Sequence, residues 1–281
     1  MQQLTLATWN INSVRIRTPL IQRFLSEQNP DILCLQEIKC LSDQFPRKLF
    51  EEAGYPHIQV NGQKAYHGVA TVSRVPLEPI QTEFCPLGHA RHVSSGIRIG
   101  NKDFELHNFY VPAGGDVADI ETNAKFAHKM DFLDVMRSYF ETRYRVGDAQ
   151  QVIVGDFNIA PHENDVWSSR QLQKVVSHTP GEREMLESLR ESHGFIDTSR
   201  RWAADADKLY SWWSYRAKDV MKSNRGRRLD HIWVSPAMEA AIEAAHAQTD
   251  QTSHRILTYA RLWEKPSDHV PMLQTLDVDA L

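Results

Sequence analysis

Residues 4–9, Leu4, Leu6, Ala7 and Trp9 with Thr5 and Thr8 among them, give way to amides at Asn10 and Asn12, the pattern of a strand that ends in a polar loop. Thr18-Pro19 then predicts a helix start, with Thr18 as N-cap and Pro19 in the first turn. Leu20, Ile21, Phe24 and Leu25 fall on one face of that helix, and Pro30 stops it. A buried strand is expected at 31–35, and further strands at 68–73, 95–99, 104–111, 151–154 and 229–235. Residues 121–143 read as a long amphipathic helix with Phe126, Met130, Leu133, Met136 and Phe140 turned to a core, and a second helix is expected near 182–191. The stretch 69–111 looks like a run of antiparallel strands. Strands mixed with helices in this way predict an α/β layered fold with mixed sheets.

Composition narrows the class. The chain has 281 residues, 41% hydrophobic and 24% charged, which excludes a disordered or collagen-like polymer. No apolar run approaches the roughly 20 residues that span a bilayer, and no basic-then-apolar leader opens the chain, so a soluble cytoplasmic protein is expected. Cys34, Cys40 and Cys85 form no paired framework, which suits a reducing compartment and a structural role for all three. The net charge of −4 argues against a globally basic nucleic-acid binder but leaves room for a local basic patch. No linker or repeat divides the chain, and a single domain over 1–281 is expected. Neither a dinucleotide fingerprint, nor a P-loop, nor a nucleophile elbow occurs.

Polar residues collect where strands end: Asn10 and Asn12, Gln36-Glu37, Asn108 to Tyr110, Asp156 and Asn158, Asp230, and Asp268-His269. In extended chain Asp156 and Asn158 share one side with Phe157 opposite, and Asn10 and Asn12 do likewise. Each taken singly has an ordinary explanation as a turn former or a surface carboxylate, Glu37 with Lys39 for instance. Jointly they are what metal-assisted hydrolysis of a phosphate ester requires. Glu37 with Asn10 and Asp268 offers hard oxygen ligands suited to Mg²⁺, and without an HxH, HExxH or paired-cysteine motif in the chain zinc is not expected. Asp156 is the candidate to orient or deprotonate water, and Asn158 is an uncharged donor to the developing oxyanion. His269, kept protonated by a partner such as Asp230, could donate to a phosphate oxygen.

At this point the chain resembles the exodeoxyribonuclease III/AP endonuclease family, compact bacterial type, of the exonuclease-endonuclease-phosphatase superfamily. The matching segments begin with Thr8-Trp9-Asn10-Ile11-Asn12-Ser13-Val14-Arg15 and Asp31-Ile32-Leu33-Cys34-Leu35-Gln36-Glu37-Ile38-Lys39. They continue through Asn108-Phe109-Tyr110-Val111-Pro112, Gly155-Asp156-Phe157-Asn158 and Arg228-Leu229-Asp230-His231-Ile232 to Lys265-Pro266-Ser267-Asp268-His269. The resemblance implies a DNase I-like, four-layered α/β sandwich: two packed mixed β-sheets flanked by helices, with the site at one edge. It implies Mg²⁺, with Mn²⁺ as a substitute, held by Glu37 and Asn10 beside Asp268, with Asp156, Asn158 and His269 around the same ion. It also implies a dyad of Asp230 and His269, a phosphate contact from Tyr110, and Trp212 lining a pocket for a base-less sugar.

The residues give that last point independent support. Six cations, Arg216, Lys218, Lys222, Arg225, Arg227 and Arg228, follow two tryptophans against one acid, Asp219, as phosphate neutralisation beside a stacking aromatic requires. His89-Ala90-Arg91-His92-Val93 departs from the expected Glu-Gly-Arg segment, and Asn12 stands where some relatives carry an acid. The expectation is a monomeric Mg²⁺-dependent repair nuclease that cuts duplex DNA 5′ to abasic sites and trims 3′ ends. The rivals are a phosphoesterase acting on RNA or a phospholipid headgroup, and a non-catalytic abasic-DNA binder.

Overall fold

The computed structural model describes residues 2–81, 83–144, 147, 149–216 and 219–281. In chain order the strands are β1 (Gln3–Asn10), β2 (Ile32–Gln36), β3 (His57–Asn61), β4 (Val69–Ser73), β5 (Leu77–Gln81) and β6 (His92–Ile99). They continue with β7 (Lys102–Tyr110), β8 (Gln151–Asp156), β9 (Ile196–Asp197), β10 (Asp230–Val234), β11 (His254–Ile256) and β12 (Met272–Asp277). One sheet runs β11-β12-β1-β2-β4-β3 and the other β5-β6-β7-β8-β10-β9, each with one parallel pair (β1/β2 and β7/β8) among antiparallel ones.

Alternation along the strands builds the layers. Leu4, Leu6, Ile32 and Cys34 face Leu106, Val152, Val154 and Ile232 between the sheets. Ala7, Trp9, Leu33 and Leu35 point the other way, onto Ile21, Phe24 and Leu25 of the helix Thr18–Gln28. Ile153, Phe109 and Trp233 meet Phe132, Leu133, Met136 and Phe140 of the helix Ala124–Arg143, with Leu186 and Leu189 of Pro180–Ser192. The four-layered sandwich is the one expected.

The predicted elements are present with shifted ends. The long helix starts at Ala124 because Asn123 caps it, and the later one starts at Pro180, capped by a reciprocal Thr179–Glu182 box. Thr18 is the first helical residue and not the cap; Arg17 holds that position without a side-chain capping bond, and Thr18 Oγ1 donates back to Val14 O. Short or edge elements such as β3, β5, β11 and the helix Glu239–Gln248 carried no pattern strong enough to predict. No helix among the described residues is long and apolar enough to cross a membrane.

Two features place the polar strand ends. Gly155 has φ +139°, and a Cβ there would lie 1.9 Å from Phe109 O, so only glycine lets β8 run against β7 and deliver Asp156 beside Tyr110. Between the sheets Gln36 Nε2 donates to Asn108 Oδ1 at 2.7 Å, and Asn108 Nδ2 donates to Ala70 O at 3.0 Å. This buried amide pair locks β2 of one sheet to β7 of the other directly beneath Glu37 and Tyr110.

Candidate active site

The ends of β1, β2, β7, β8 and β10 and the Ser267–His269 segment converge at one edge between the sheets, and the backbone there is unusual. Asn12, Glu37, Lys39 and Asn158 all have φ between 48° and 53°. Left-handed non-glycine residues are rare, and their collection at one edge marks a site where the surrounding structure holds the backbone against its preference. Asn12 and Asn158 therefore do not continue an extended strand; the chain turns at each. Asn158 N folds back to Asp156 Oδ1 at 2.9 Å, while Phe157 is buried as alternation required. Lys129, buried in an ion pair with Glu182, donates to Asn158 O at 2.8 Å and holds that turn from behind.

The acids are wired together. Asn10 Nδ2 donates to Asp156 Oδ2 at 2.8 Å and to Glu37 Oε1 at 3.0 Å, so one amide spans two carboxylates. Tyr110 donates its hydroxyl to the same Glu37 oxygen at 2.8 Å, and Lys39 pairs with the other at 2.8 Å. Lys39 also reaches Asn12 Oδ1 at 2.5 Å, and Asn12 Nδ2 donates to Asp268 Oδ1 at 3.0 Å. Trp212 Nε1 donates to the second Asp268 oxygen at 3.0 Å. On the other side His269 Nδ1 binds Asp230 Oδ2 at 2.8 Å, and Nε2 lies 3.7 Å from Asp156 Oδ2. Ser211 Oγ donates to Asp230 Oδ2 at 2.6 Å and is itself the acceptor for the N–H of Leu229 and of Asp230.

Titration follows from this wiring. Burial pushes Asp156 up to about 7, with the nearby Asp230 and Glu37 charges adding to the rise and His269 opposing it. His269 is lifted to about 10 because Asp230 and Asp156 outweigh its burial. Glu37, although burial raises it, is held below the usual range by Lys39, Asn10 and His269. Asp268 is likewise lowered against its burial, chiefly by His269, Asn12 and Trp212. Tyr110 is pushed well above its ordinary value by burial and the Glu37 charge, so it stays a donor. Four carboxylates thus face two cations, and Asp230 Oδ1 is buried without a hydrogen-bond partner among the described residues. Asp156, Asp230 and His269 each place one candidate ligand atom within 4.8 Å of the others, and Glu37 and Asp268 nearby offer hard oxygens of the kind that suit a divalent cation, which would supply the missing charge.

Comparison with known proteins places this geometry. The model of the endonuclease/exonuclease/phosphatase family matches residues 7–269. The chain belongs to that family. An exodeoxyribonuclease III of Haemophilus influenzae is 29% identical, with 94% of this chain and 97% of that one covered. Among solved structures, an AP endonuclease from Archaeoglobus fulgidus has a TM-score of 0.85 at 28% identity, covering 98% of this chain and all of the other. A variant of the 3′ phosphatase NExo from Neisseria, bound to a product DNA hairpin, has a TM-score of 0.84 at 29% identity over 98% of this chain and 99% of the other. The protein is a hydrolase of the nuclease type within a metal-dependent family.

Within this family member the structure brings together Asn10, Glu37, Tyr110, Asp156, Asn158, Asp230, Asp268 and His269, drawn from almost the whole length of the chain. It divides the expected basic segment. Arg216 and Arg225 are exposed and line a groove of about 450 Å³ with Ser214 and Ser223. Lys218 lies outside the described residues. Arg227 is half-buried: it donates to Val176 O at 3.1 Å and Ser177 Oγ at 2.7 Å and lies over the Trp212 ring. Arg228 corrects the expectation of a DNA contact. It is fully buried, with paired bonds to Asp165 (2.9 and 2.8 Å) and to Asp197 (3.0 and 2.7 Å). A guanidinium spent on two buried carboxylates cannot meet a phosphate, and both partners are too distant in sequence for a charge count to reveal. Sequence reasoning also passed over Ser211 and Lys129, whose roles come from contacts that leave no local pattern.

Proposed function

We propose that this chain is a Mg²⁺-dependent DNA repair nuclease that hydrolyses the phosphodiester 5′ to abasic sites and removes nucleotides or blocking groups from 3′ ends. The observation that carries the reading is the Asp230–His269–Asp156 row standing against Glu37 and Asn10 at one open sheet edge, in a chain of this family. The nuclease and 3′-phosphatase relatives support DNA as the substrate. One unit over residues 1–281, working as a cytoplasmic monomer, is part of the same proposal.

Glu37, Asn10 and Asp268 would hold the cation, and Mn²⁺ would substitute for Mg²⁺. When bound, the ion supplies Lewis-acid neutralisation of phosphate charge. Asp156, with an affinity for protons near neutrality, takes a proton from the attacking water as the new P–O bond forms and the bond to the 3′ oxygen breaks. Asp230 fixes the His269 ring, and the imidazolium donates through Nε2 to a phosphate oxygen. Asn158 adds an uncharged donor, and Tyr110 holds Glu37 in place and can turn its hydroxyl to the phosphate. Trp212 both borders the site and orients Asp268 through its indole N–H. Arg216, Lys222 and Arg225, the exposed cations among the described residues of the basic segment, meet the DNA backbone.

The test is gel resolution of products from a synthetic abasic duplex, with and without chelator, beside an RNA duplex and a phosphoinositide. Metal-dependent incision 5′ to the abasic site is expected. Turnover confined to RNA or the lipid, or binding of the abasic duplex without cleavage in Mg²⁺, overturns the proposal.

A further inference from the structure

A second cluster of chemically competent side chains lies outside the catalytic edge. Cys85 is buried in the loop that follows β5, His89 is half-buried in the same loop, and His128 is half-buried on the helix Ala124–Arg143. One candidate ligand atom from each of the three lies within 4.8 Å of the others. Cys85 Sγ and His128 Nε2 are 3.6 Å apart, and the His89 and His128 rings meet edge-on at 5.3 Å. Metal–sulfur and metal–nitrogen bonds of about 2.3 and 2.0–2.1 Å place tetrahedral S and N ligands about 3.6 Å apart, so this pair already has the spacing. His89 Nδ1 is buried and finds no hydrogen-bond partner among the described residues.

The setting suits ligation. Burial first, and the Arg91 charge second, lower the proton affinity of His89 and bring His128 to about 4, which leaves both imidazoles neutral and free to ligate at neutral pH. A cavity of about 580 Å³, lined by Glu83, Cys85, Gly88 and His89 among others, opens beside the thiol and provides an entry path and room for a water in a fourth position. The Arg91 guanidinium lies close enough to sense Cys85 and opposes a bare cation, and a thiolate formed on binding offsets that charge.

We propose that Cys85, His89 and His128 form a binding site for one thiophilic d-block cation, Zn²⁺ or Cu⁺, separate from the catalytic centre. The hard-oxygen catalytic set and this Cys-His-His set select different metals by ligand softness. A bound ion ties the loop 83–91 to the long helix. That loop carries Arg91, which lies 4.8 Å over the Tyr110 ring, and His89 stacks at 4.8 Å on His67, so the tie reaches the wall of the active site. The sequence concealed the cluster because two ligands sit in a loop and the third on a helix, with no paired-motif spacing.

The test titrates chelator-stripped protein with Zn²⁺, and with Cu⁺ under anaerobic conditions, against a chromophoric competitor in excess Mg²⁺. Wild type, Cys85→Ser, His128→Gln and, as a catalytic-site control, Glu37→Gln are compared. One equivalent should bind to wild type and to Glu37→Gln, and affinity should fall in the other two by at least the about 10- to 100-fold that an outer-shell contact is worth. The preferred ion is the one retained at the higher competitor concentration. Co²⁺ should give a near-ultraviolet sulfur-to-metal band that Cys85→Ser abolishes, a signature the sulfur-free catalytic centre cannot produce. Absence of stoichiometric binding, affinity unchanged in Cys85→Ser and His128→Gln, loss in Glu37→Gln, or a Co²⁺ band that survives Cys85→Ser overturns the proposal. Circular dichroism checks each fold, and if Cys85→Ser fails to fold, His128→Gln decides the question alone.

Discussion

Two buried charge assemblies flank β10, and they differ in whether their charges are satisfied. In one, Arg228 and Arg200 close on Asp165 and Asp197, and every guanidinium edge of Arg228 has a carboxylate or His231 beside it. Although burial raises the acids, Arg228 holds Asp165 below its ordinary range and Asp197 near about 2. In the other, Asp156, Glu37, Asp268 and Asp230 outnumber Lys39 and His269, and Asp156 is driven up to about 7. The first assembly spends its charges on itself and braces the fold. The second holds a surplus of negative charge at an open edge, which only a cation or a proton relieves. Buried acids are thus not in themselves a sign of catalysis; an unbalanced set of them is.

The largest effect that separates the two is on turnover. His269→Asn and Asp156→Asn should each lower metal-dependent cleavage by about 10²–10⁴-fold, the range of a general acid or base, with DNA binding retained. Steady-state rates beside a binding isotherm check this, and near-normal turnover removes the proposed roles. In chelator at pH 8, Asp156→Asn should also melt at a higher temperature than wild type. A carboxyl raised from 3.8 to about 7 contributes stability below pH 3.8 and loses it as pH climbs through 7, so at pH 8 its charge is a burden that the amide lacks.

Next in size is the brace. Arg228→Met should cost about 3–5 kcal/mol by leaving two carboxylates buried without their cation, yet lose far less turnover per folded molecule than His269→Asn. Denaturant unfolding with active-site-normalised rates distinguishes these; a stable variant with weakened DNA binding would restore Arg228 to the interface. Smaller still, Trp212→Phe should raise the Mg²⁺ requirement about 10-fold through the lost bond to Asp268, while Trp212→Ala should further weaken abasic-site cleavage relative to binding of intact duplex. Equal effects of the two variants would leave the indole N–H bond to Asp268 alone responsible and the ring without a role.

The subtlest contrast is in pH. His269 is raised from 6.5 to about 10, so its pairing stabilises fully below pH 6.5 and fades as pH rises through 10. Asp197 is depressed from 3.8 to about 2, so its contribution is complete above pH 3.8 and lost as pH falls through 2. The stability gap between wild type and His269→Asn in chelator should therefore narrow from pH 7 to 10. The gap to Asp197→Asn should stay flat there and narrow only in acid. Parallel behaviour of the two gaps would dissolve the distinction.

The fold and the cast of the catalytic edge were legible in the chain because both leave local traces. Short runs rich in apolar and β-branched residues, such as 4–9 and 152–154, mark the strands, and the polar residues that follow such runs name Asn10, Glu37 and Asp156 one at a time, as the Ser-Asp-His segment names His269. What local pattern cannot carry is saturation. Whether Arg228 faces solvent or Asp165 and Asp197, whether Lys39 guards Glu37 at the surface or inside a site, and whether Cys85 meets two imidazoles all depend on contacts between distant segments. Pairing of charges is a pairwise property of positions in space, fixed by how the two sheets and their helices pack. The sequence by itself therefore determined most of the longer elements, though not the central strand β12, and which polar groups stand at their ends. Only the tertiary structure decided which of those charges are neutralised within the protein and which are left to act on something else.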